Sequence, residues 1–181
     1  MTTRLLNLQP NLPEGYIDSD FLAYLNSEGF FVTEIIGDGH CMFRSIADLE
    51  VNDQEKHLRY RRLAVQHMVL NAKKFEEFVV RRNLTFAQYI EKMENNNAWG
   101  GHYELVALSI VLNKRICIIN ESKDTTIIDA SDNENSSTIY LAHDRTQMHY
   151  SSLRKIEQIQ DKKETLEKNK TKLKRNFQQI Q

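Results

Sequence analysis

Two cysteines, two prolines, one tryptophan and six glycines stand among 181 residues. Two cysteines cannot build the framework of a disulfide-stapled secreted domain. No apolar run approaches the ~20 residues needed to cross a bilayer. The first residues, Met1-Thr2-Thr3-Arg4-Leu5-Leu6-Asn7, lack the apolar centre of a signal peptide. A reducing compartment follows as the expectation: the cytoplasm, or a host cell's cytoplasm if the chain is a pathogen effector. Neither sign of charge dominates, since 24 Lys/Arg face 25 Asp/Glu and leave a formal net charge of −1. Composition therefore gives no argument for a nucleic-acid partner. C-x-x-C and H-x-x-x-H are absent, so no metal site or other cofactor is expected. A phosphate-cradling G-x-x-x-x-G-K-[ST] and a G-x-S-x-G serine elbow are missing too.

What is present is enough for one domain with extensions. Hydrophobic residues make up 40% of the chain, sufficient for a sizeable core. Residues 1–15 hold both prolines and read as a lead-in. Asp18-Ser19 caps a helix bearing Phe21, Leu22 and Leu25, with Gly29 closing it. A β-rich run follows from Phe30 to Ile36. A buried helix starts at Cys41. Residues 54–80 look helical with a break near 73, Thr85 caps another helix, and an apolar helix covers Tyr103 to Leu112. Short strands come last, at 116–119, 125–128, 138–142 and around His149. Cys117 lies in the first of them and reads as a small buried hydrophobe. Helices first and strands later predict an α+β domain in α/β/α layers with a small central sheet, over residues 16–153.

Residues 154–181 differ in kind. They hold nine Lys/Arg against four Asp/Glu. Ile159, Leu166, Leu173 and Ile180 recur every seven residues, while Ile156, Lys163, Lys170 and Phe177 occupy the other seam position. This pattern suits a terminal helix, either solvated or contacting a partner helix.

The chemistry concentrates in Gly37-Asp38-Gly39-His40-Cys41-Met42-Phe43-Arg44. A glycine-flanked turn delivers Cys41 to the start of a helix, where unpaired N–H groups and the helix dipole favour a thiolate. Gly39 permits positive φ, and N–H groups of residues 39–41 are expected to face a developing oxyanion, with Gly39 and His40 forming that loop. The Asp38 carboxylate can fix the loop. Alone, the pattern fits a glycine turn beside a buried cysteine equally well. A thiolate also needs a base. His40 adjoins Cys41 but points elsewhere and is expected to face solvent. His149, 108 residues further on and beside a predicted strand, is the better candidate. Two residues along the same strand face stands Ser151, a weak orienter for an imidazole; Asp144 and Asp38 are alternatives.

Three blocks in order resemble the OTU (ovarian tumour) cysteine proteases, papain-like deubiquitinases. Asp38-Gly39-His40-Cys41-Met42-Phe43-Arg44 is similar to the family's D-G-x-C-[LM]-[FY]-R. Trp99-Gly100-Gly101-His102-Tyr103-Glu104-Leu105 is similar to W-G-x-x-x-E-L, and His149-Tyr150-Ser151 to the terminal H-[YF]-x block. The resemblance implies Cys41 as nucleophile, His149 as general base and Asp38 in the oxyanion-hole loop. Core packing is expected for Trp99 and a helix cap for Glu104. Many members carry Asp or Asn where Ser151 stands. The implied activity is hydrolysis of isopeptide bonds at the C-terminus of ubiquitin. The implied partners are ubiquitin, polyubiquitin or a ubiquitin-like modifier. The rival readings are a ubiquitin-binding module with little catalysis, and a papain-like hydrolase of another amide such as bacterial cell wall.

Overall fold

In the computed structural model, the described residues are 17–80, 84–95, 98–129 and 136–170, without 158, 162, 166 and 167. The lead-in 1–15 and the heptad positions Leu166, Leu173, Phe177 and Ile180 lie outside them.

Helix α1 (Ser19–Ser27) starts where the Asp18 carboxylate accepts from the N–H groups of Asp20 and Phe21. It ends before Gly29 at φ +78, a turn for which an L side chain is ill suited. Strand β1 (Phe30–Thr33) follows, shorter than the run to Ile36 suggested by composition. Helix α2 (Cys41–Val51) is buried at every position from Met42 to Asp48, so it threads the interior rather than lying on it. A 3-10 turn, Gln54–Lys56, leads into α3 (His57–Leu70). Helix α4 (Ala72–Val80) begins after Asn71, which places the expected break two residues early. Helix α5 (Phe86–Glu94) has a full capping box, with Thr85 and Gln88 satisfying each other's backbone N–H groups. Helix α6 spans His102–Leu112.

Four strands complete the sheet: β2 (Arg115–Asn120), β3 (Thr125–Ile128), β4 (Thr138–Asp144) and β5 (His149–Lys155). Their order is β1-β5-β4-β2-β3. Only the β2–β4 pair is parallel; β1–β5, β4–β5 and β2–β3 are antiparallel. Alternation along β2 shows why this is a middle layer. Ile116 and Ile118 join a large cluster with Phe43, Ile46, Met68 and Leu108. Cys117 and Ile119 face the opposite side, with Phe21, Leu25 and Leu153. The arrangement is α+β, with α1 on one face of the sheet and α2, α3 and α6 on the other.

Beyond β5 the backbone is helical at 156–157, 159–161, 163–165 and 168–170. Ile156 and Ile159 are half-buried, whereas Lys163 and Lys170 are exposed. No helix among the described residues is long and apolar enough to cross a membrane.

Candidate active site

Cys41 opens α2, with His40 at the N-cap and no side chain capping the helix. The turn before it is held by charge. Arg44, buried one turn into α2, grips Asp38 through Nε (3.1 and 3.2 Å) and Nη2 (2.7 Å). Its Nη1 reaches Glu55 Oε1 at 2.7 Å and the Gln54 carbonyl at 3.2 Å. Burial opposes ionisation of Asp38, but the Arg44 guanidinium and the His40 N–H outweigh it and hold the carboxyl at about 2. Asp38 is thus a fixed anion bracing the loop.

One expectation changes here. The His40 N–H donates to Asp38 Oδ1 at 3.0 Å, so it does not open toward an oxyanion. The Asp38 carboxylate is the stronger local acceptor and claims it. Gly39 adopts φ +85, and a Cβ built there would stand 3.1 Å from Trp99 Nε1. The Cys41 turn and the Trp99 block are therefore in direct contact. Trp99 itself is 60% exposed, which overturns the expectation of core packing. The indole lies against the glycine turn, and the next residue, Gly100, packs on α2, where a Cβ would come within 2.4 Å of Met42 and 2.7 Å of Phe43. Glu104 does cap α6, accepting from the Gly101 N–H at 2.7 Å, and its second oxygen accepts from the Tyr89 hydroxyl at 2.6 Å.

Strand β5 closes the site from the other end of the sequence. The N–H of Tyr150, the residue after His149, donates to Cys41 Sγ at 3.5 Å. The structure thereby brings the two sequence-predicted reactive segments together across the α2–β5 contact. His149 is 3% exposed and stands directly opposite Asp144 in the β4–β5 register. Burial pushes its imidazole below the usual range; the Asp144 carboxylate and a hydrogen bond with the Ile35 backbone act against this, and His143 adds to it. Asp144 is itself fixed. Its Oδ1 accepts from the Thr146 N–H and hydroxyl and from the Gln147 N–H, at 2.6–3.0 Å. Ser151 is buried two residues along, opposite Ala142.

The expected stabilised thiolate is also revised. Burial pushes the Cys41 thiol up, and nearby Asp38 adds to that. The N–H groups of Tyr150, Met42 and Cys41 itself pull the other way without overcoming it. Burial thus favours the neutral form of the Cys41 thiol and of the His149 imidazole alike.

His40 was expected in solvent; it is half-buried, its Nδ1 lies 3.0 Å from Arg61 Nη2, and its ring sits 4.8 Å from that of His57. Arg61 is the residue that sequence reasoning missed. It occupies the core-facing stripe His57, Tyr60, Arg61, Ala64, Val65 and Met68 of α3, and a cation on an apolar stripe is the available signal. Among the described residues no cluster of His, Cys, Asp and Glu could hold a metal ion.

A thiol at a buried helix start, seated against a strand that begins with histidine, defines a cysteine-hydrolase class of site. Residues 36–158 match the family model described as OTU-like cysteine protease, and this chain belongs to that family. It is 31% identical over 139 residues to ovarian tumor domain-containing deubiquitinating enzyme 7 of Arabidopsis thaliana, covering 77% of this chain and 36% of the relative. The chain thus spans about a third of that relative's length. Among solved structures, the OTU domain of OTUD1 superposes with a TM-score of 0.66 at 22% identity, covering 73% of this chain and 90% of that one. The Hazara virus OTU bound to ubiquitin gives 0.58 at 20% identity, with 71% and 82% covered.

Proposed function

We propose that this chain is a deubiquitinase that cleaves the isopeptide bond between the C-terminal glycine of ubiquitin and a lysine amine. The observation that carries the reading is the contact of the Tyr150 N–H with Cys41 Sγ, which seats the His149 strand on the nucleophile in a member of this family. The plant relative's name and the ubiquitin-bound viral OTU domain support the choice of substrate. Exposed Ile36 and Met148 flank the nucleophile turn and the base in sequence, and exposed Trp99 lies beside Gly39, offering apolar surface to an extended peptide tail.

His149 accepts the Cys41 proton as Sγ attacks the carbonyl carbon. The N–H groups of the turn and helix start receive the oxyanion, apart from that of His40, which Asp38 holds. His149 then protonates the departing lysine nitrogen, leaving a thioester. Water, losing a proton to His149, attacks the thioester and releases the ubiquitin carboxylate and the Cys41 thiol. Asp144 and the Ile35 backbone orient the imidazole, which makes Ser151 dispensable for that task. A reducing compartment such as the cytoplasm suits a site that depends on a free Cys41 thiol.

Ubiquitin with a C-terminal electrophile tests the reading. A covalent adduct mapping to the peptide that contains Cys41 is expected. Ubiquitin binding without an adduct would favour the binding-module reading instead. Gly39→Ala tests the turn. Forcing an L side chain to φ +85 costs roughly 1–2 kcal/mol, and the methyl also crowds Trp99. Adduct formation should slow by about tenfold or more, while the unfolding temperature falls by only roughly 2–8 °C. An unaltered rate would remove the turn geometry from the mechanism.

A further inference from the structure

Arg61 is 2% exposed and sits at the junction of the two loops that form the site. Its Nη2 lies 2.6 Å from the Ala98 carbonyl and 3.0 Å from His40 Nδ1. Its Nη1 donates to the Met93 carbonyl at 3.1 Å, and the guanidinium lies 4.4 Å above the Phe43 ring. The acceptors it meets are two carbonyls and an imidazole, all neutral. A buried cation without a contacting carboxylate is costly for stability alone. The groups it joins explain its place: His40 precedes the nucleophile, Ala98 precedes Trp99, and Trp99 in turn covers Gly39.

An arginine can only donate. His40 Nδ1 must therefore be the unprotonated acceptor, and its ring proton sits on Nε2. We propose that Arg61 is a positioning residue whose guanidinium holds neutral His40 and the Ala98 carbonyl at once, fixing the nucleophile turn against the Trp99 loop, and that protonation of His40 releases this clamp. The proposal rests on the cysteine-hydrolase reading of the site for its catalytic consequence.

The groups facing His40 set the sign of the pH effect. Asp38 in its own loop favours the charged ring. Arg61 and His57 on α3 and Arg44 on α2 oppose it. Burial is the largest influence and, with these neighbours, holds the imidazole below its ordinary value. A histidine depressed in the folded state stabilises that state when neutral and loses the contribution as pH falls through its folded value. The clamp is closed at neutral pH and opens on acidification below the usual imidazole range.

Two pairs of variants test this in the full chain. Arg61→Lys and Arg61→Gln should lower kcat on ubiquitin carrying a C-terminal fluorogenic amide by about 10- to 100-fold, the size expected for lost hydrogen bonds from a charged group, with KM little changed. Should Arg61→Gln fail to fold, the His40 pair decides. Asn offers Oδ1 where Nδ1 stood, so His40→Asn should recover most of the kcat that His40→Leu loses. It should also lack the acid-side loss of activity that His40 protonation gives the wild type.

Nitrogen chemical shifts of His40 read the clamp without any substrate. A protonated Nε2 and bare Nδ1 at pH 7.5, roughly a unit above the free imidazole value, are expected in the wild type. A protonated Nδ1 would overturn the proposal, as would wild-type kcat and pH profile in Arg61→Lys together with equal kcat in His40→Asn and His40→Leu. Absence of turnover in the wild type with the expected tautomer would reject the deubiquitinase reading and leave the clamp standing.

Discussion

Cys41→Ser is expected to reduce cleavage of a ubiquitin C-terminal amide by at least about a thousandfold, the scale of losing a nucleophile from a catalytic unit. A serine hydroxyl holds its proton far more tightly than a thiol. Nothing in this site offsets that difference: the surroundings already push the Cys41 thiol up, so they would also disfavour an alkoxide. The change is nearly isosteric, and the Ser45 hydroxyl would keep its bond to the residue 41 carbonyl at 2.9 Å. The fold and ubiquitin affinity should survive, which separates loss of chemistry from loss of structure. Adding His149→Ala to Cys41→Ser should cost little more, because the two act as a unit. Residual turnover within tenfold of wild type in Cys41→Ser would sink the assignment of the nucleophile.

Asp48→Ala should produce the largest loss of stability. Asp48 lies on the buried face of α2 and pairs with Arg154 of β5 at 2.7 Å, with side chains only 11% and 24% exposed. It also accepts from the buried Ser152 hydroxyl. Arg154 reaches on to Thr33 of β1, to the Asp48 carbonyl at 3.0 Å and to Asn52 at 3.2 Å. Removing the carboxylate leaves a largely buried cation with neutral acceptors only, a loss of about 3 kcal/mol. For a chain of this length that is a fall of roughly 6–12 °C in unfolding temperature. Deleting the exposed pair between Lys168 and Glu164 should change little, since such pairs contribute under about 0.5 kcal/mol. Asp48 joins the helix that starts with Cys41 to the strand that starts with His149, so its loss should also slow adduct formation. An unfolding temperature within a degree of wild type would show that the helix–strand weld lies elsewhere.

Local patterns were legible along most of the chain because their causes are local. Asp18 and Thr85 announce helix starts through their own side-chain oxygens, and the apolar spacing of 43, 46 and 47 marks a buried helix. The Cys41 turn and His149 could be singled out by residue chemistry, and the three motif blocks gave the family. What stayed hidden depended on partners far away in sequence. His40 looked solvent-bound because Arg61, which claims its ring, is 21 residues on. Trp99 looked like core because its size favours burial, yet its indole lies against Gly39, about 60 residues away in sequence, and stays exposed. The thiol looked pre-ionised because a helix start favours a thiolate, but the desolvation that reverses this comes from the packing of β5 and the neighbouring elements.

Sequence by itself determined the α+β class and the family and singled out Cys41 and His149 as candidates, since spacing, caps and residue chemistry need no third dimension. Tertiary structure alone decided how those residues are held. The strand order puts β5 between β1 and β4, and that places Asp144 opposite His149 and the Tyr150 N–H on Cys41. Burial and charge act over distances in space rather than along the chain, so the protonation of Cys41 and His149 and the grip of Arg61 on two loops exist only once the chain has folded.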